Sequence, residues 1–143
     1  MIEESYVSFE TARMLKEAGF NVPCRGVYVT DRTGYDEFRE YENKQTTDDL
    51  CWNTEDGFQY EYLAPTQALA ARWLREVHRI VVDATFIPPS VNGDVWQYFV
   101  GEMDDMVWEG DYEPSDCKYA TYEQAMEAGL QEAIKSIKKK EAV

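Results

Sequence analysis

Two helix-like segments bracketing a pair of strand-like runs constrain this chain more than any other feature. The first segment is Pro65-Thr66 followed by QALAARWLREVH (67–78), and the second is TYEQAMEAGLQEAIKSI (121–137). Between them lie RIVVDATFI (79–87) and DVWQYFV (94–100). In the first helix Leu69, Trp73, Val77 and Ile80 recur at helical spacing and predict one apolar stripe, with Thr66 as N-cap and Pro65 setting the approach. In the second, Thr121 and Gln124 have the spacing of a capping box, and Tyr122, Met126, Gly129, Leu130, Ala133 and Ile137 form the stripe. A mid-helix glycine costs about 1 kcal/mol against alanine. Gly129 therefore predicts a close approach of helix to sheet. The lysines of KSIKKKEA sit where a helix C-terminus favours cations.

The two runs between the helices alternate. Val82, Ala84 and Phe86 share one face, and Val81, Asp83, Thr85 and Ile87 the other. Trp96, Tyr98 and Val100 oppose Val95, Gln97 and Phe99 in the same way. Strands this close in sequence pair antiparallel, and Asn92-Gly93 suits the turn. Pro88-Pro89 is expected to end the first strand, because proline cannot donate to a central ladder. CKYATY (117–122) is a candidate short third strand.

Upstream, Val7 to Phe20 reads as a helix capped by Ser8 and ended at Gly19. GVYVT (26–30) and GFQYEYL (57–63) alternate as strands and are expected to pair. The polar, mostly acidic segment between them, about 31–56, reads as a long excursion holding one short helix around Tyr35, Phe38 and Glu42 and otherwise loop. Trp52 and Leu50 predict that part of it packs back on the body.

Composition narrows the classes. The chain has 143 residues, 44% hydrophobic and 14% aromatic, enough to fill a core in a single domain spanning 1–143. No run of about 18 apolar residues would span a membrane. MIEESYVSFE lacks the basic and apolar regions of a secretory signal, so a cytoplasmic location is expected. A net charge of −14 disfavours direct binding to nucleic acid and points to a basic protein partner if the partner is charged.

Candidate chemistry is sparse. Cys24, Cys51 and Cys117 are widely spaced and His78 is the one histidine, a set that does not fit a zinc site. His78 reads as a helix-end residue rather than a catalytic base. Asp104, Asp105, Glu109, Asp111, Glu113 and Asp116 offer oxygens to a cation such as calcium, but their spacing does not match an EF-hand, and a solvated acidic loop is expected. No glycine-rich phosphate loop occurs and no carboxylate pair stands out. No catalytic residue, metal ligand or cofactor is therefore assigned. The aromatics exceed what a small core obviously needs. Tyr60, Tyr62, Trp96, Tyr98, Trp108 and Tyr112 are the candidates for an interaction surface.

VSFETARMLKEAGFNVPC, APTQALAARWLREVH with the strand pair after it, and TYEQAMEAGLQEAI together resemble small uncharacterised proteins of Bacteroidetes genomes and their phages or prophages. The order helix, two strands, helix is also similar to αββα sandwich domains of phage proteins. The resemblance implies residence in phage-derived DNA and supplies no catalytic residues. The expected fold is α+β, an antiparallel sheet packed by two helices in an αββ(β)α arrangement, with an added N-terminal helix and strand pair. The expected function is a non-enzymatic accessory or interaction protein. An acidic nucleic-acid mimic that occupies a DNA-binding protein is the alternative, and an enzyme using a carboxylate cluster the second. A homodimer through aromatic strand surface is left open.

Overall fold

A computed structural model describes residues 4–30, 36–50, 60–90, 93–105, 113–114 and 119–141. The fold is α+β with antiparallel sheets. The chain divides into two compact units, Met1–Thr66 and Gln67–Val143.

The first unit holds α1 (Phe9–Glu17), β1 (Cys24–Thr30), β2 (Asp36–Gln45) and β3 (Tyr60–Ala64), with sheet order β2-β1-β3. The Ser8 side chain caps α1, accepting from the Thr11 amide at 3.3 Å. The helix closes on Gly19 at φ +92°, where the Phe20 amide donates to the Leu15 carbonyl at 2.9 Å and the Gly19 amide to that of Lys16 at 3.0 Å. Only glycine adopts that backbone without strain, which is why the helix stops there.

The expected pairing of β1 with the later strand holds, in a register setting Tyr28 opposite Tyr62. The acidic segment departs from expectation. Residues 36–45 are a strand, not a short helix and loop, with Phe38 opposite Tyr28. The strand is solvent-exposed along nearly its whole length, so it lacks the apolar alternation that marks a strand in sequence. Its charges suit an edge, where they discourage pairing with other chains. The ladder also shifts register between Gly26↔Glu40 and Cys24↔Gln45, which bends the edge further. Leu50 is buried as expected, whereas Tyr35 and Trp52 lie outside the described residues.

The second unit realises the αββ(β)α order: α2 (Gln67–Val77), β4 (Ile80–Ser90), β5 (Gly93–Glu102), β6 (Glu113–Pro114) and α3 (Tyr122–Glu141). The sheet order is β4-β5-β6, and both helices pack on it. β4 continues through Pro88-Pro89 to Ser90, because it is an edge strand whose outer amides need no partner. The ladder slips between Ile87 and Ser90 to accommodate this. The third strand position is filled by Glu113–Pro114 and by a bridge between Tyr119 and Trp96. Residues 91–92 and 115–118 lie outside the described residues.

The buried face of α2 differs from the expected stripe. Ala70, Ala71, Trp73, Leu74 and Gln67 are buried, whereas Val77 is 58% exposed. Each i+4 step overshoots a full turn by about 40°, so a stripe drawn only with fours drifts off the face. Ile80 is buried, but from β4, since the helix ends at Val77. α3 buries Ala125, Met126, Leu130, Ala133, Ile134 and Ile137. Gly129 behaves as predicted, since a Cβ there would lie 2.9 Å from Val82 Cγ1 and 3.0 Å from Tyr98 Cβ. Tyr122, assigned to this stripe, is instead 40% exposed, at the first position of the helix.

Candidate functional site

Four of the six candidate aromatics lie among the described residues. Tyr60 and Tyr62 belong to the first unit, Trp96 and Tyr98 to the second, and Trp108 and Tyr112 lie outside the described residues.

Tyr62 is half-buried and structural. Phe9 meets its ring edge-on at 5.5 Å, and the Lys16 ammonium sits 4.6 Å over its centroid. Burial lowers the Lys16 pKa and raises that of Tyr62. Phe9 also packs on Tyr28, Tyr28 on Phe38 and Phe38 on Tyr6, one continuous run of rings. The Tyr28 hydroxyl donates to the Val7 carbonyl at 2.8 Å, so the run pins the chain ahead of α1. Tyr60 is 37% exposed at the start of β3. Tyr98 lies under Gly129 and tilts against Tyr119 at 6.1 Å, a packing role.

Trp96 is different. Its amide and carbonyl exchange hydrogen bonds with Tyr119 at 2.8 and 2.7 Å, which fixes it where the sheet gives way to α3. Two residues later Thr121 caps the helix, its hydroxyl accepting from the Gln124 amide at 3.1 Å. The chain thereby delivers Tyr122 edge-on to Trp96 at 5.5 Å. From the paired strand, Phe86 lies opposite Trp96 in the ladder, with ring centroids 5.2 Å apart. Phe86 is 41% and Tyr122 40% exposed although each packs against Trp96. Burial, with the carboxylates of Asp83 and Glu123 in support, raises the Tyr122 pKa and keeps its hydroxyl protonated.

Sequence reasoning found Trp96, placed Phe86 on the strand face of Val82 and Ala84, and gave Tyr122 to the buried stripe of α3. Position was the available signal for Tyr122, which opens α3.

Other candidates resolve into structure. His78 ends α2, its amide donating to Leu74 at 3.1 Å and its ring meeting Trp73 at 4.7 Å. Arg79, at φ 56°, turns the chain into β4. Its carbonyl accepts from the Met103 amide at 2.8 Å, and its guanidinium donates to Asp104 at 2.7 Å. Asp104 is thus an ion-pair partner, while Glu109, Asp111 and Asp116 lie outside the described residues. Among the described residues, no group of three His, Cys, Asp or Glu could hold a metal. No described helix is long and apolar enough to cross a membrane. Cys24 is buried, and burial pushes its thiol up to about 11. Cys51 and Cys117 lie outside the described residues. A shallow hollow lined by Lys16, Phe20, Thr47, Leu50 and Leu63 presents mainly apolar wall.

No family model, curated protein or solved structure matches the chain.

Proposed function

We propose that this is a non-enzymatic interaction protein that engages a protein partner through the Phe86–Trp96–Tyr122 cluster. The observation that carries the reading is the pairing of rigidity with exposure. Two large rings are held against Trp96 by a strand ladder and a capped helix start, yet each leaves about two-fifths of its surface to solvent. Rigid aromatic anchors are what interface hot spots use, because little side-chain entropy is lost on binding. The resemblance to phage and prophage proteins adds an accessory role in a phage-derived element, acting in the cytoplasm.

The test is comparative capture of partners from cells that express the chain. Wild type should enrich a protein that the Phe86→Ser/Tyr122→Ser variant loses, with unchanged far-UV dichroism. Equal enrichment by both would sink the reading. Displacement of the partner by duplex DNA would instead favour the nucleic-acid mimic.

A further inference from the structure

We propose that the Phe86–Trp96–Tyr122 cluster receives the guanidinium of an arginine in a basic segment of the partner. The inference rests on the interaction reading above and specifies its chemistry.

Three features of the site select this occupant. Aromatic faces carry negative quadrupole charge and attract cations placed over them, and three rings meet here with two substantially open to solvent. Asp83 and Glu123 are exposed carboxylates close enough to perturb the Tyr122 hydroxyl. Neither forms an ion pair among the described residues, although Asp83 accepts from the Ala84 amide at 2.8 Å. With carboxylates near the Tyr122 hydroxyl, the cluster is poorly suited to an acidic segment. The net charge of −14 acts in the same direction at longer range, drawing basic segments toward the surface. Arginine fits better than lysine. Its planar, delocalised cation stacks on rings and sheds water more readily than an ammonium, while its remaining N–H groups reach carboxylates. The protonated Tyr122 hydroxyl can accept one of those N–H groups without first becoming an anion.

The experiment uses the full chain labelled with ¹⁵N. The Trp96 indole N–H is identified by its loss in Trp96→Phe. Three short glycine-spaced peptides are titrated, one carrying arginine, one lysine and one citrulline, the neutral isostere. The arginine peptide should give saturable shifts of the Trp96 indole. Affinity should fall about fivefold with lysine and about tenfold or more with citrulline. Asp83→Asn/Glu123→Gln should weaken the arginine peptide about fivefold, as should raising NaCl from about 50 to about 300 mM. Equal binding by citrulline would overturn the assignment in favour of an uncharged occupant. Absence of saturable shifts would overturn it outright. If comparative capture still depends on Phe86 and Tyr122 in that case, the interaction reading stands and only the arginine assignment falls. If capture ignores both residues, both fall.

Discussion

Single residues decide the closest packing in this chain, and glycine shows it in both units. At Gly26 a Cβ would sit 2.3 Å from the Ala64 carbonyl oxygen and 2.9 Å from the Tyr6 ring. Backbone cannot yield as a side-chain tip can. Gly26→Ala should therefore destabilise the first unit by about 2–4 kcal/mol in urea titrations. Gly129→Ala gains about 1 kcal/mol of helix propensity but meets Val82 and Tyr98. It should still lose about 1–2 kcal/mol, and a stabilised variant would show that α3 can retreat from the sheet. Gly129 was legible in sequence because a glycine inside a strong helical pattern needs a reason. Gly26 was not, since a glycine opening a strand looks like ordinary turn chemistry and the Tyr6 ring above it comes from 20 residues upstream. Cys24 carries the pH dependence at this scale. Its folded-state pKa of about 11 lies above the unfolded value, so the neutral thiol is favoured by folding. That contribution is complete below about pH 8.5 and disappears as pH rises through about 11. Native Cys24 should resist iodoacetamide at pH 8, by mass spectrometry of the peptide that contains it, and react at once in urea.

Elements in the second unit are tied by one buried amide. Gln67, in the first turn of α2, donates to the Glu123 carbonyl at 2.9 Å and to the Glu127 carboxylate at 3.1 Å. Gln67→Glu would replace that donor with a second carboxylate facing Glu127. At pH 7 it should cost about 2–3 kcal/mol. The new carboxyl would have its pKa raised by burial and like charge, so stability should return as pH falls through that raised value and be restored by about pH 4.3. Thermal melts of wild type and variant at pH 7 and pH 4 check this, and a pH-independent deficit would contradict the clasp. The helices and apolar strands were legible because their periods are set by one buried face each. β2 was not, because an exposed edge strand carries the same polar residues as a loop and is defined only by its partner β1. The site was half legible for a related reason. Periodicity gives Phe86 a strand face and Tyr122 a place in the α3 stripe but cannot show that both rings stay about two-fifths exposed.

At the scale of the whole molecule, a net charge of −14 on 143 residues sets a background of self-repulsion. Adding about 0.3 M NaCl should raise the melting temperature by a few degrees, whereas an unchanged value would mean that the charges are already balanced locally. On the proposed reading the cluster stays open as a docking point, held by β4, β5 and the start of α3. Photo-crosslinking from the cluster tests that claim most directly. Benzoylphenylalanine is placed at position 122 and, as control, at position 135, where Lys135 is exposed elsewhere on α3. In cells expressing the chain, position 122 should yield one dominant protein adduct that position 135 does not. The same adducts from both positions, or none from 122, would contradict an interaction site at Phe86, Trp96 and Tyr122.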